Sequence, residues 1–205
     1  LGENFPIPVK TTFLGAHAFP AEFKDNHSGY VKQIINEMLP RIAEEKLADY
    51  VDVFCEKGYF TVGEMEEILE AATKFGYKSK LHVNQFNSLG AIEKAIQHDA
   101  LSVDHLEVIE APQMEREAYL EPPLEPPLFD TNRNERFDEA EMLGKSETIC
   151  TLLPGCSLFL EIPYAPARRL IENDAIVALA TDYNPGSSPS GNMNMVVSLA
   201  SIKMK

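Results

Sequence analysis

Two histidines and one aspartate stand at the ends of apolar, β-rich runs of the chain. His82 lies near the end of "KLHVNQ", His105 near the end of "SVDHLE", and Asp182 within "VALATDYNPG". Neutral imidazole and carboxylate hold divalent first-row metals while leaving a position open for water. Alternation places His82 opposite Leu81 and Val83, on the inward side. The set predicts a metal site that activates water, although a single histidine in a strand is more often a core residue.

Asp182 has a competing interpretation as a helix cap. Asp, Asn and Ser are the preferred residues before a helix, and a helix is predicted to begin at Met193. Asn184 or Ser190 could cap that helix equally well. Asp182 would then be an unpaired carboxylate at the end of an apolar strand, which is costly unless a partner such as a cation compensates it.

Further polar residues follow other predicted strands. His17 in "LGAHAFP" lies just past the first strand, where substrate contact is one interpretation. Glu56 could pair with Lys57 or Lys80, or project into the same site, and the sequence leaves these choices open. The cysteines, Cys55, Cys150 and Cys156, have no histidine at a suggestive spacing, so nucleophilic cysteine catalysis is not expected.

The elements that must position these residues alternate regularly along the chain. Strands are predicted at 9–15, 50–55, 80–83, 101–106, 149–153 and 175–180, with helical periodicity between them. Thr61 and Glu64 form a capping-box pattern, and Gly76 is a plausible stop for the helix that follows. Alternating strands and helices predict an α/β fold with a parallel sheet.

About six βα units in this order fit either a doubly wound sheet or a partial (β/α)₈ barrel. The polar residues favour the barrel, because the carboxyl ends of its strands converge on one face, where active sites are built. An open sheet would spread the same residues along an edge. A barrel has eight strands, so two further units are expected before Leu1.

The segment 110–146 interrupts this pattern. It is charged, lacks a clear period and contains paired prolines at 122–123 and 126–127, which favour polyproline II and exclude a helix interior there. We predict that 1–205 is a portion of one barrel and that 110–146 is a solvated insertion or loop within it. A substrate lid is the less favoured alternative.

Charge and cysteine content exclude some partners. The net charge of −14 argues against nucleic acid and anionic membranes, which need clustered lysine and arginine. No apolar run approaches the roughly 20 residues of a membrane span. Three cysteines without a disulfide or zinc pattern suit a reducing compartment, so the cytoplasm is the expected location.

Several long motifs resemble one family. In order they are "TTFLGAHAFP", "YVDVFCEKGYF", "KLHVNQFNSLG", "ALSVDHLE", "LLPGCSLFL" and "ALATDYNPGSSPSGNMN". Together they are similar to the imidazolonepropionase family of the amidohydrolase superfamily, from about residue 9 to 205 and broken only at 110–146. The resemblance implies a metal-dependent hydrolase of histidine degradation. Such an enzyme opens the ring of 4-imidazolone-5-propanoate with water to give N-formimidoyl-L-glutamate.

The resemblance also implies roles for individual residues. His82 and Asp182 match metal ligands for one zinc or iron ion. His105 and Asp182 match catalytic residues, with His105 near the metal-bound water. The residues that match the family's contacts to the small-molecule substrate or product are His17, Gln85, Asn184, Gly186 and Ser187. Gln85 stands where many relatives carry glutamate, so we assign it to hydrogen bonding with the substrate ring.

Two alternatives remain beside this interpretation. The chain could belong to another cyclic-amide hydrolase or deaminase of the same superfamily. It could also be a metal-free paralogue that serves as an interaction module, with 110–146 as its binding element. The oligomeric state is left open, with a homodimer as one candidate.

The resemblance generates a first prediction about residues 1–205 in isolation. The family's His-x-His metal pair, a substrate-binding arginine and a tyrosine-bearing loop are expected before Leu1. This chain then supplies about two of the four ligands of a tetrahedral site. We expect residues 1–205 alone to bind metal weakly and to be inactive. Robust turnover of 4-imidazolone-5-propanoate by this segment would contradict the expectation.

Overall fold

Six parallel strands form the centre of the fold. The computed structural model describes residues 5–109 and 138–205. Its strands are β1 (Thr12–Ala16), β2 (Tyr50–Cys55), β3 (Lys78–Val83), β4 (Ser102–His105), β5 (Ile149–Leu152) and β6 (Val177–Leu179). All six predicted strands are confirmed. β1 begins later than predicted, because Thr11 bonds through its backbone N–H and hydroxyl to the Asp49 carboxylate.

Helices alternate with these strands, and two of them, at 139–144 and 154–160, were not predicted. They are α1 (His27–Gln33), α2 (Leu39–Glu45), α3 (Val62–Lys74), α4 (Ala91–Gln97), α5 (Glu139–Gly144), α6 (Pro154–Leu160), α7 (Ala167–Glu172) and α8 (Met193–Lys203). A π-helical turn, Ile34–Met38, joins α1 to α2. Pro40 follows this turn and lacks an N–H, which is consistent with a local break in the ordinary helical hydrogen bonding. None of the described helices is long and apolar enough to cross a membrane.

Local capping signals were predicted with mixed success. The capping box of α3 is present, with Thr61 Oγ1 accepting from Glu64 N at 3.2 Å and Glu64 Oε2 accepting from Thr61 N at 2.8 Å. The predicted cap of α8 was wrong. Asn192, not Asn184 or Ser190, accepts from the N–H groups of Asn194 and Met195. Asn192 is the residue directly before the first helical turn, where its side chain reaches those orphan donors.

The order of the strands identifies the architecture. The sheet runs β1-β2-β3-β4-β5-β6, and every neighbouring pair is parallel. A doubly wound sheet reverses its strand order at a switch point, whereas a (β/α)₈ barrel adds each strand beside the previous one. The sequential order therefore matches part of a (β/α)₈ barrel, as predicted.

The two faces of the sheet differ sharply in polarity. The face toward the helices is apolar and fully buried; it includes Val51, Val53, Leu81, Val83 and Val103. These side chains join one core cluster with Met65 and Ile68 of α3 and Ile92 of α4. The opposite face carries polar residues at matching register, with Asp52 beside Lys80, Lys80 beside Ser102, and His82 beside Asp104. Apolar burial thus holds the sheet, and the inner face is left for polar chemistry.

The structure describes only the last part of the segment 110–146, from residue 138 onward. Residues 110–137, including the paired prolines, lie outside the described residues, so their assignment as an insertion stays a prediction. The end of the segment forms α5, in which Ala140 and Leu143 are fully buried. Helix α5 packs against α4 and α7. The expectation of a solvated loop was therefore wrong for Glu139–Gly144, because this short apolar face is covered by neighbouring helices.

Gly144 offers a test of how closely α5 is packed. A Cβ at this position would overlap the backbone carbonyl oxygen of Asn173 at the end of α7. We expect Gly144→Ala to destabilise the fold by about 1–3 kcal/mol, because a backbone atom must move. Guanidinium denaturation of the complete protein measures the change.

Gly63 in α3 is the matched control. A Cβ at Gly63 would meet no atom within 4 Å. Gly63→Ala is expected to be neutral or to stabilise by up to about 1 kcal/mol, because alanine has the higher helix propensity. Equal effects of the two substitutions would show that α5 is not held against α7.

Candidate active site

A connected polar network lies on the inner face of the sheet. His82 Nδ1 and Asp52 Oδ1 are hydrogen-bonded at 3.0 Å. Beside them, Lys80 Nζ donates to Ser102 Oγ at 2.9 Å, and Ser102 Oγ donates to Asp104 Oδ1 at 2.8 Å. Lys80 Nζ also lies 3.6 Å from Asp104 Oδ2. The network crosses three adjacent strands, so it depends on their register.

Part of this network has the donor atoms of a metal site. Asp52, His82 and Asp104 each offer one ligand atom, and these atoms lie within 4.8 Å of one another. Imidazole nitrogen and carboxylate oxygen suit a divalent first-row cation. Because Nδ1 of His82 is engaged by Asp52, Nε2 is the nitrogen left for a metal. A carboxylate on the second nitrogen is the usual partner that orients a metal-binding histidine.

Asp52 and Asp104 were not predicted as site residues. Their signal was present in the sequence, because each is a charged residue inside a β-rich run, directly after Val51 and Val103 respectively. A charged residue inside a buried strand needs a partner, and the pairing across strands supplies it. Lys80 was considered as a partner of Glu56, but it pairs with Asp104 instead.

The electrostatic environment favours the protonated form of His82. Burial alone would lower the pKa of His82, but the carboxylates of Asp52, Asp104 and Asp182 together raise it above the ordinary value of 6.5. Burial raises the pKa of Asp52, and the hydrogen bond with His82 opposes that increase. The pair therefore retains a proton to a higher pH than isolated groups would, and a bound cation would have to displace it.

Three imidazole rings stand side by side at the carboxyl ends of β1, β3 and β4. The His82 ring centre lies 5.7 Å from that of His17 and 5.3 Å from that of His105. His17 also stacks on Phe54 at 5.3 Å. Desolvation and the neighbouring His82 lower the pKa of His17. The Asp182 carboxylate opposes the decrease in the pKa of His17 and adds to the increase in the pKa of His82.

Left-handed backbone marks the ends of the strands that carry these residues. Asn84 follows β3 with φ 55°, His105 and Leu106 end β4 with φ 86° and 66°, and Asp182 follows β6 with φ 50°. For side chains such as those of His105 and Leu106, this conformation costs roughly 1–2 kcal/mol each. Residues held in such conformations cluster at functional sites, where the surrounding structure compensates the strain.

The turn after Asp182 is organised by Asn184. Its Oδ1 accepts from the N–H groups of Gly186 at 2.9 Å and Ser187 at 2.8 Å. Its Nδ2 donates to the Asp182 carbonyl and to Ser187 Oγ. Ser187 Oγ in turn lies 3.4 Å from Asp182 Oδ2. The residues predicted to bind substrate are therefore linked to Asp182, and their donors are used within the turn in this structure.

Gln85 lies beside a buried thiol at the same edge of the sheet. Its Nε2 donates to Cys156 Sγ at 3.5 Å, and both residues are buried. Cys156 also interacts electrostatically with Asp182 and Ser187. The structure thus brings Gln85 and Asp182, which are far apart in sequence, to one region.

Glu56 has a different task from those the sequence suggested. Its buried carboxylate accepts from the backbone N–H groups of Lys57, Phe86 and Asn87, and from the Asn87 side chain at 2.8 Å. It pairs with neither lysine side chain within the described residues. Glu56 therefore holds the loop that follows β3, directly after Gln85.

The environment of the thiols predicts low reactivity. Burial raises the pKa of Cys55, Cys150 and Cys156 to about 12 in each case, and Asp182 adds to the effect at Cys156. At pH 8 only about one thiol in 10,000 would then be ionised. We expect iodoacetamide to leave all three unmodified in the native protein and to modify them after unfolding, as measured by peptide mass spectrometry. Rapid native labelling of Cys156 would contradict its burial beside Gln85.

Comparisons with known proteins identify relatives across the whole chain. No family model matched the sequence. The imidazolonepropionase of Flavobacterium johnsoniae is 51% identical over 205 residues, which cover 100% of this chain and 44% of the relative. The imidazolonepropionase of Thermoanaerobacter pseudethanolicus is 43% identical over 199 residues, covering 97% of this chain and 42% of the relative. The chain thus spans less than half the length of the curated relatives it matches.

Solved structures resemble the fold at low sequence identity. A triazine hydrolase variant has a TM-score of 0.65 at 12% identity, covering 98% of this chain and 43% of that one. An adenosine deaminase from Xanthomonas campestris with bound zinc has a TM-score of 0.59 at 14% identity, covering 93% and 41%. These structures support the barrel fold alone. The sequence relatives are more specific, and by them the chain belongs to the imidazolonepropionase family.

Proposed function

We propose that the complete protein containing this chain opens the ring of 4-imidazolone-5-propanoate with water, giving N-formimidoyl-L-glutamate in histidine degradation. One structural observation carries the proposal. His82 and His105 lie with ring centres 5.3 Å apart at the carboxyl edge of one parallel sheet, and the Asp182 carboxylate, which follows the last strand, is near enough to raise the pKa of His82. Identity of 51% to an imidazolonepropionase across the whole chain supports the choice of substrate.

We assign the metal to His82 and Asp182. Nε2 of His82 is the nitrogen that its hydrogen bond with Asp52 leaves available. The donor atoms suit one zinc or iron ion, and the zinc of the similar adenosine deaminase supports a divalent metal. When bound, such an ion lowers the pKa of water to about 7 and polarises a substrate carbonyl. Asp52 would keep the His82 ring in orientation.

Protons are handled by the two proposed catalytic residues. The Asp182 carboxylate accepts a proton as water adds to the carbonyl carbon of the ring. His105 lies beside His82 and stabilises the developing oxyanion or relays a proton to the leaving nitrogen. The His105 side chain is buried, with only 3% exposed.

Substrate recognition is assigned to the rim of the same site. Gln85 hydrogen-bonds the ring, and His17 contacts it from the end of β1. The substrate carboxylate is assigned to the turn at Asn184. There it would replace Asn184 Oδ1 on the N–H groups of Gly186 and Ser187, because both donors already face one acceptor.

Substitution of His82 in the complete protein tests the proposal. His82→Asn removes the proposed metal nitrogen, so we expect metal loss and a fall in kcat/KM of at least about 100-fold, because loss of even an outer partner of a metal ligand costs roughly 10- to 100-fold. Metal content by mass spectrometry and turnover of 4-imidazolone-5-propanoate measure the effects. His98→Asn is the control, because His98 contacts Glu66 on the helical side of the fold.

The wild-type protein separates the alternatives. Preference for a hydantoin or a dihydropyrimidine over 4-imidazolone-5-propanoate would assign a different cyclic-amide hydrolase. Absence of bound zinc or iron after purification without chelators would favour a metal-free interaction module. Full metal content with unchanged turnover in His82→Asn would overturn the assigned ligand.

A further inference from the structure

Two buried polar atoms at the end of β4 face each other without a completed hydrogen bond. His105 Nδ1 lies 3.6 Å from Glu107 Oε2, and the two side chains are 3% and 0% exposed. Neither atom has a hydrogen-bond partner among the described residues. A buried carboxylate oxygen and a buried ring nitrogen without partners are both costly, so each is the natural partner of the other.

The Glu107 carboxylate is held from its other side. Its Oε1 accepts from Ser157 Oγ at 3.0 Å, and Ser157 belongs to α6, the helix after β5. In the described part of the chain, His105 is its sole ion-pair candidate. The serine is therefore bonded to the carboxylate and not to the histidine, so the three residues do not form an activated serine nucleophile.

The backbone supports this arrangement. His105 and Leu106 are consecutive left-handed residues, so the chain leaves strand geometry at His105 and places Glu107 beside it. The ring of His105 also packs beside that of His82. Glu107 and His82 thus both lie next to the His105 ring.

We propose that Glu107 is the positioning residue of His105, accepting a hydrogen bond from Nδ1–H and thereby leaving Nε2 unprotonated for the site around His82. The hydrogen bond made by one ring nitrogen sets which nitrogen of a neutral histidine carries the proton. A shortening from 3.6 Å to the usual range of about 2.7–2.9 Å completes the bond. Catalytic contacts are often long before substrate binds and tighten afterwards.

The catalytic part of this inference rests on the proposed function, whereas the position of the proton does not. With Nε2 unprotonated, His105 can accept a proton and return it to the leaving nitrogen. With Nε2 protonated, neutral His105 could only donate there. Glu107 touches neither substrate nor metal in this arrangement and acts through His105.

Nitrogen NMR of the histidine rings tests the proton position directly. The complete zinc-loaded protein, labelled with ¹⁵N-histidine, is measured at neutral pH, and His105→Gln identifies the His105 signals. We expect the wild type to show His105 protonated on Nδ1 and not on Nε2. A ring protonated on Nε2 would overturn the proposal.

Variants of Glu107 separate positioning from mere packing. Glu107→Leu keeps the volume but removes the acceptor, so we expect mixed protonation of the His105 ring and a fall in kcat of about 10- to 100-fold with unchanged KM. Glu107→Gln retains an oxygen acceptor and is expected to lie between wild type and Glu107→Leu. Wild-type ring signals and kcat in Glu107→Leu would also overturn the proposal.

Glu139→Gln is the matched control for a buried carboxylate. Glu139 is 8% exposed and bonds Asn84 and Ser88, not His105. This substitution is expected to leave the His105 signals unchanged; the same change as in Glu107→Leu would assign the effect to general loosening and overturn the proposal. If Glu107→Leu does not fold, the wild-type spectrum still decides. If the ring signals agree but 4-imidazolone-5-propanoate is not hydrolysed, the proposed function fails and the positioning role stands.

Discussion

The parallel register of the strands is the constraint on which the rest of the structure depends. Neighbouring strands that run in the same direction end at the same edge, and side chains at matching positions share a face. This register puts Asp52, His82 and Asp104 together on the inner face, while Val51, Leu81 and Val103 pack against the helices. A shift by one residue would exchange the two faces, so apolar burial also fixes the polar site.

Carboxylates around the inner face act mainly on other residues of the protein. Asp52 bonds the Nδ1 atom of His82, Glu56 holds the loop after Gln85, and Glu107 faces His105. Each of these acids is buried, so solvent only weakly screens its electrostatic interaction with the group it contacts. The residues proposed to meet metal and substrate are therefore supported by a surrounding layer of acids, and that layer explains much of the buried charge.

Much of this molecule was predictable from local patterns. The strand containing His82, the capping box at Thr61 and the sequential barrel architecture all follow from periodicity and turn chemistry. Other features were not predictable in this way. Asn192 replaced the expected cap of α8 because capping depends on where the first helical turn begins. Helix α5 was missed because its apolar face consists of only two buried residues, Ala140 and Leu143. Packing against α4 and α7 identifies that face, and the local sequence pattern does not.

The sequence by itself determined which residues stand at strand ends, because alternation and β-rich runs are local properties of the chain. It therefore indicated that His82, His105 and Asp182 would meet at one edge. Only the tertiary structure decided their neighbours: Asp52 is bonded to His82, Glu107 faces His105, and the Asn184 side chain donates to the Asp182 carbonyl. These contacts depend on strand register, backbone reversals at strand ends and side-chain rotamers. Such quantities are set by packing between distant segments, which local periodicity does not encode.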